Sequence, residues 1–185
     1  CIFPVGLMMI VFVGGELFTG DCMMSMAWMQ RKIHFADMLR TLVLVYVSNF
    51  VGAALIAFLV AHSGQYDYSS GALGAYTIKV AYGKVHLSFA NALVSGILCN
   101  ILVCVAVLMA AAAKDIAGKV LAIFFPILAF VVSGFEHCVA NMYYIPAGIF
   151  ASKNAAYATK ALELYNIDST QLSSLNWGRF AISNL

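Results

Sequence analysis

The sequence predicts an all-α integral membrane protein in which two continuous membrane helices lie between two broken ones. Of its 185 residues, 63% are hydrophobic and 10% are charged, and the mean hydropathy is +0.93. Soluble domains are only about half apolar and about a quarter charged. The ten Lys and Arg residues, against eight Asp and Glu, form no basic stripe that could track a phosphate backbone, so nucleic acid is not an expected partner.

Two segments are long and apolar enough to cross a membrane as continuous helices. Leu42 to Ala61 has 20 residues without a charge, and Leu87 to Ala113 has 27. A helix of about 20 apolar residues crosses the roughly 30 Å of bilayer hydrocarbon. We therefore predict helices over residues 38–61 and 85–113.

Two further apolar segments, residues 1–29 and 119–151, are interrupted near the middle. The interruptions are GGELFTGD (Gly14 to Asp21) and GFEHCVAN (Gly134 to Asn141). The apolar arms have 14 residues or fewer, which at about 1.5 Å per residue is at most about 21 Å, so we expect no arm to cross alone. Irregular backbone at membrane depth is tolerated where it is buried in protein or lines a wet cavity. Both breaks are therefore expected to face a cavity.

The order of the segments, broken, intact, intact, broken, indicates two halves related by inverted symmetry. The simplest such unit has three spans with the broken one in the middle. The chain is then a fragment of a six-span protein and a single membrane domain over residues 1–185. One span is missing before Cys1, residues 152–175 form an outer loop, and residues 176–185 begin the last span.

The loops predict the orientation in the cell membrane. The two loops on one side, residues 30–37 and 113–119, are short and basic, whereas those on the other side are longer. Five Lys or Arg residues fall on each side. Because short loops weigh more in the positive-inside rule, we place the short loops in the cytoplasm of a multi-pass protein of the inner or plasma membrane.

His137 is the only histidine deep in an apolar segment. An ionisable group inside a membrane is costly and is by default a candidate functional residue; the alternative is a core histidine bonded to a backbone carbonyl. Glu136 beside it points elsewhere on a tight turn, and we expect it to support backbone donors at the break.

Asn100 and Lys84 are two further polar candidates. Asn100 lies near the middle of the second continuous segment, where helix–helix bonding is the alternative role. If the helix is regular, Lys84 lies at its outer end, about 24 Å from Asn100. There Lys84 either draws anions toward an opening or extends to the membrane surface.

The first break places the bulky Leu17 and Phe18 beside the small hydroxyl of Thr19. This is the pattern of a dewetting gate next to a hydrogen-bonding site. Broken helices also direct the N-terminal ends of half-helices into a cavity, which favours anions or polar neutral solutes.

Five cysteines (Cys1, Cys22, Cys99, Cys104 and Cys138) are scattered without a C-x-x-C spacing, which predicts buried free thiols. No metal site or cofactor is expected.

Three stretches resemble the signatures of the formate/nitrite transporter family: VGGELFTG (Val13 to Gly20), GILCNILVCVA (Gly96 to Ala106) and SGFEHCVANMYYIP (Ser133 to Pro146). The GKVH of Gly83 to His86 also fits its pattern. The resemblance covers nearly the whole chain. It implies an aquaporin-like inverted repeat of six spans, and a homopentamer in which each protomer has its own pore.

The resemblance also implies roles for individual residues. His137 is similar to the central pore histidine, and Thr19 to its partner. Lys84 resembles the lysine near the outer vestibule, and Asn100 and Asn141 complete the candidate substrate pore. The expected cytoplasmic-side constriction consists of Leu17, Phe18, Leu7 and Val103, and the outer one of Phe3 and Phe130.

The expected function is therefore a channel, not an enzyme. Its substrates are small monovalent weak-acid anions (hydrosulfide, formate or nitrite), which pass the apolar gates after proton donation near His137. The stretch around GGELFTGDC (Gly14 to Cys22) leans toward the hydrosulfide branch of the family.

Two alternatives stay open. One is a channel for neutral solutes such as water or ammonia. The other is a membrane redox subunit with His137 as a haem or metal ligand. A zinc site needs three or four convergent ligands, which the consecutive Glu136, His137 and Cys138 cannot supply, and haem held by two histidines would need a second buried histidine.

Overall fold

A computed structural model describes residues 2–184, and these form eleven α-helices and no strand. The helices are α1 (Phe3–Val13), α2 (Phe18–Asp21), α3 (Met24–Met29), α4 (Phe35–His62), α5 (Ala72–Val85), α6 (Phe89–Ala112), α7 (Ile116–Ser133), α8 (Cys138–Ser152), α9 (Ala155–Tyr165), α10 (Ser169–Ser173) and α11 (Trp177–Asn184), with a short 3-10 helix at Gln65–Asp67.

Helices α4 and α6 contain the two continuous apolar segments. They have 28 and 24 residues, and only 11% and 17% of their most apolar windows are buried. Such large apolar faces are unusual on a water-soluble surface, but lipid solvates them readily. By length and composition, α4, α6 and α7 can each cross a membrane, and α1 with the α2–α3 segment adds a fourth span.

The expectation that no arm of a broken segment is long enough to cross alone is wrong for α7. This helix has 18 residues, or about 27 Å, because it begins four residues before Val120. The Asp115 carboxylate accepts a hydrogen bond of 2.7 Å from the Gly118 backbone N–H, which caps the helix. Lys119 thus lies within the helix, near an end where a lysine can extend to the membrane surface.

Both breaks have the same local geometry. Gly14 and Gly134 each end a helix in the left-handed conformation, at φ of 78° and 71°. Their N–H groups bond back to the carbonyls of Ile10 at 2.9 Å and Val131 at 3.1 Å. In each case the next helix starts four residues after the glycine, and at the first break the chain bends by 65°.

The chain divides into two compact units, the first of residues 2–49 and 92–137 and the second of residues 50–91 and 138–184. The first is held by one apolar cluster from α1, α6 and α7, whose buried members are Leu7, Cys99, Val103, Ala106, Ala110, Ile123, Ile127 and Phe130.

In the second unit, α5 and α8 pack very closely. A Cβ on Gly148 would collide with the Ala81 Cβ and lie 3.3 Å from the Thr77 carbonyl oxygen. A Cβ on Gly74 would lie 2.7 Å from the ring of Tyr157 on α9. Glycine is therefore required at both positions by the approach of a neighbouring helix.

The predicted position of Lys84 is wrong. This residue lies in the last turn of α5, not on the helix that carries Asn100, and the helix predicted over 85–113 begins at Phe89. At the end of α5, His86 Nδ1 lies 2.8 Å from the Tyr82 carbonyl oxygen. The Ser88 hydroxyl then accepts a bond from the Asn91 N–H as α6 begins.

The segment predicted as an outer loop, 152–175, contains α9 and α10. Asn154 caps α9 by accepting from the Ala156 N–H. Asp168 and Gln171 form a reciprocal capping box for α10. The Tyr157 hydroxyl donates a 2.6 Å bond to the Asp67 carboxylate. This bond raises the pKa of Tyr157, because it stabilises the neutral phenol.

Candidate functional site

The two breaks meet at a buried hydrogen-bonding pair. Thr19 Oγ1 lies 3.3 Å from His137 Nε2, and the two residues are only 5% and 7% exposed. Thr19 is the second residue of α2, and His137 is the last residue before α8. Because a hydroxyl both donates and accepts, this contact is compatible with either tautomer of the imidazole.

Two phenylalanines surround the same histidine. The rings of Phe3 and Phe130 touch each other edge to face, with centroids 5.3 Å apart. The His137 ring lies 5.8 Å from Phe130, close to parallel, and 6.3 Å from Phe3. The pair predicted as the outer constriction is therefore in direct contact with the predicted central histidine.

The predicted cytoplasmic-side gate is brought together in part. Leu7 and Val103 belong to the apolar cluster of the first unit, and Leu17 packs against it. The Phe18 ring packs on Tyr46 of α4, edge to face at 5.0 Å. Their action as a gate stays a prediction.

Asn49 on α4, which the sequence reasoning missed, supports the first break. Its side chain accepts a 3.0 Å bond from the Phe18 N–H and donates a 3.1 Å bond to the Glu16 carbonyl. These bonds satisfy groups that a continuous helix would have paired internally. The available signal was an amide in an otherwise apolar 20-residue segment.

Ser95 on α6 supports the second break in the same way. Its hydroxyl accepts a 2.8 Å bond from the Glu136 N–H. A Cβ on the neighbouring Gly96 would lie 4.0 Å from the Glu136 carbonyl oxygen, so helix and break are close at this point. The supporting role expected for the Glu136 carboxylate stays a prediction.

Asn100 lies on α6, four residues before Cys104. Its buried Oδ1 has no hydrogen-bond partner among residues 2–184. The Cys104 thiol donates to the Thr19 carbonyl oxygen at 3.6 Å, so this part of α6 lies beside the first break.

Lys84 and Asn141, the other predicted pore residues, belong to the second unit. Lys84 is half-buried at the end of α5, and Asn141 is buried in the first turn of α8. Their part in a pore stays a prediction. Within residues 2–184, no group of three or more His, Cys, Asp or Glu side chains could hold a metal ion.

Interrupted apolar helices whose breaks meet at a buried polar pair, with exposed apolar faces on the intact helices, are typical of membrane transport proteins. The sequence model described as formate/nitrite transporter matches residues 1–185, and the chain belongs to this family. The predicted family, which is one of transporters and not of enzymes, is thereby confirmed.

Two relatives show the extent of the similarity. The formate channel FocA of Haemophilus influenzae is 37% identical over 185 residues, which are 100% of this chain and 64% of the relative. The uncharacterized transporter YrhG of Bacillus subtilis is 45% identical over 151 residues, 81% of this chain and 56% of the relative. The chain thus spans less than two thirds of the length of either protein.

Solved structures confirm the predicted fold class, an all-α membrane protein of the aquaporin-like, inverted-repeat type. A pentameric formate channel with formate bound matches 98% of this chain and 71% of its own, with a TM-score of 0.83 and 30% identity. An ion channel of the same family matches 98% of this chain and 70% of its own, with a TM-score of 0.71 and 28% identity.

Proposed function

We propose that this chain forms the pore of a membrane channel for small monovalent weak-acid anions, with formate as the first candidate. The observation that carries the proposal is the Thr19–His137 pair, buried against Phe3 and Phe130. It provides one polar, proton-exchanging position inside an otherwise apolar cluster.

The apolar cluster explains why a weak acid suits this pore. Moving an ion from water into an apolar constriction costs tens of kcal/mol in the Born limit. The neutral conjugate acid avoids most of this cost. In the proposed mechanism, the anion gains a proton at or near His137 and crosses the Leu and Phe constrictions as the acid.

Helix ends and one lysine would draw the anion in. His137 directly precedes α8, a helix of 15 residues, and a helix N-terminus carries about half a positive charge. Lys84 adds a full positive charge at the end of α5, and we propose that it attracts anions to the outer vestibule.

Asn100 supports the protonated form of the substrate. Its buried Oδ1 is an acceptor without a donor among residues 2–184, and buried acceptors are normally paired. A carboxylic acid has an O–H to donate, whereas a carboxylate has none. We propose that Asn100 binds the neutral acid during passage.

The choice of formate and of a pentamer rests on similar proteins. FocA of Haemophilus influenzae is named a formate channel, and the solved channel is pentameric with formate bound. Nitrite and hydrosulfide are close chemical alternatives. We propose a homopentamer in the inner or plasma membrane, with one pore in each protomer.

A flux panel tests this function. The purified protein is reconstituted in liposomes, and uptake of formate, nitrite and hydrosulfide is measured side by side with water permeability. We expect formate uptake well above that of protein-free liposomes, and faster when the outer pH is lower. Water permeation without any anion uptake would contradict the proposal and favour a neutral-solute channel.

A further inference from the structure

We propose that Cys22 and Cys104 form a two-thiol site for one thiophilic d10 cation of the Cu(I) or Ag(I) type. The site lies at the first break, next to Thr19, and its occupation alters the loop that carries the predicted gate.

Both thiols bond to the backbone of α2 at the first break. The Cys22 Sγ donates to the Phe18 carbonyl oxygen at 3.3 Å, and the Cys104 Sγ donates to the Thr19 carbonyl oxygen at 3.6 Å. These acceptors belong to consecutive residues. Both thiols are half-buried rather than sealed in the core.

The donor set selects the type of cation. Soft thiolate ligands favour Cu(I) among the biological metals. A zinc–sulfur bond is about 2.3 Å long, and we take a similar length for this cation. In a linear site with two thiolates, the sulfurs would then lie roughly 4.6 Å from each other. Zinc would require further ligands, and residues 2–184 contain no group of three or more.

The reaction involves proton exchange and no electron transfer. The cation binds two sulfurs, and the two S–H protons leave to water, as expected when thiols become metal ligands.

Occupation would affect the pore directly. Both thiols use their single proton to bond the main chain of Phe18 and Thr19. Once the protons are lost, each carbonyl faces a thiolate, which repels it. The Thr19 hydroxyl is in hydrogen-bond contact with His137. A shift of the Thr19 main chain would therefore disturb this pair.

The binding test uses a variant in which Cys22 and Cys104 are the only cysteines of the chain. Cys1→Ser, Cys99→Ala and Cys138→Ser remove the other thiols. The reduced protein is titrated anaerobically with Ag⁺ in chloride-free buffer, and bound silver is counted by mass spectrometry after desalting. We expect one tightly bound ion per protomer, and affinity at least about tenfold weaker when Cys22→Ser or Cys104→Ser is added. Two tight ions per protomer, or unchanged affinity in either serine variant, would overturn the site.

The flux test rests on the proposed channel function and has a separate outcome. In proteoliposomes of the pair-only protein, Ag⁺ should slow formate uptake severalfold, and dithiothreitol should restore it. The Cys22→Ser protein should keep its rate under Ag⁺. Formate uptake that stays at the untreated rate while Ag⁺ is bound would overturn the link to the pore. Failure of uptake in the untreated protein would instead contradict the channel function, while the titration still decides the site.

Discussion

Thr19 Oγ1 lies 3.3 Å from Nε2 of His137, although 118 positions separate the two residues in the chain. Thr19 lies in the first interrupted stretch, on α2, and His137 lies in the second, directly before α8. The contact places the polar group of each interrupted helix at one buried point.

His137→Asn should flatten the pH dependence of formate uptake. Asparagine can still hydrogen-bond with Thr19 but cannot carry a proton, whereas histidine changes charge between about pH 5 and 8. We expect uptake to fall about tenfold or more, as for removal of a positioned proton donor. Uptake into liposomes is measured across this pH range. His62→Asn, at the exposed end of α4, is the control, and an unchanged pH profile in His137→Asn would rule out the proton role.

Thr19→Val should slow uptake, while Thr19→Ser should retain most of it. Valine has nearly the same shape but no hydroxyl for the buried histidine, a loss of about 1–3 kcal/mol. Serine keeps the hydroxyl. Uptake and the thermal unfolding midpoint in detergent are measured for both variants. Equal behaviour of the two variants would show that the hydroxyl has no role.

Phe18→Ala should increase leak without loss of the fold. The substitution removes a ring that packs on Tyr46, and deletion of a half-buried ring opens space at the predicted gate. Phe125→Ala is the control, because Phe125 is 61% exposed and lies away from the break in sequence. Leak of a small dye or of formate at high pH is measured. A pore as tight as the unmodified one would argue against a gate at Phe18.

Asn49→Ala should destabilise the first break. It leaves the Phe18 N–H and the Glu16 carbonyl without their side-chain partner, which should lower the free energy of unfolding by about 1–3 kcal/mol. Ser48→Ala, at an exposed neighbouring position, should have little effect. Thermal unfolding and hydrogen exchange of residues 14–21 are measured. Equal exchange in both variants would mean that Asn49 does not hold the break.

Gly148→Ala should weaken the packing of α5 on α8. The added methyl group would collide with the Ala81 side chain, and such overpacking costs about 1–3 kcal/mol. Gly83→Ala is the matched control, because a Cβ there meets nothing within 4 Å. In a helix, this second change should stabilise by about 0.5–1 kcal/mol. Thermal midpoints that move in the same direction would contradict the close contact.

Local signals in the sequence predicted most of the helical framework. The two continuous segments are long, uncharged and mostly apolar, and each break is marked by a glycine and a glutamate within an apolar stretch. The ends of helices were predicted less well. The start of α7 at Ile116 depends on the Asp115 cap, and α10 depends on the capping box of Asp168 and Gln171, both of which are visible in the sequence but were not used.

The site was predicted in part for the same reason. Thr19 and His137 were identified because polar groups are rare and costly in apolar segments. Asn49 carried the same signal but was overlooked. Ser95 carried almost none, because serine is common in membrane helices. Lys84 was assigned to the wrong helix, because the helix interruption falls at residues 86–88, where His86 and Ser88 make local side-chain bonds to the main chain.

The sequence by itself determined that this protein lies in a membrane and that two of its helices are broken, because apolarity and the residues that interrupt it are local properties. The contact of Thr19 with His137 was implied by the family resemblance, and only the tertiary structure gave its geometry. Only the tertiary structure decided that Asn49 and Ser95 hold the breaks, and that Cys22 and Cys104 bond to adjacent carbonyls of α2. Except for the local bond of Cys22, these contacts join residues that are 31 to 118 positions from each other in the chain. Such pairings depend on helix packing, and no periodicity in the chain encodes them.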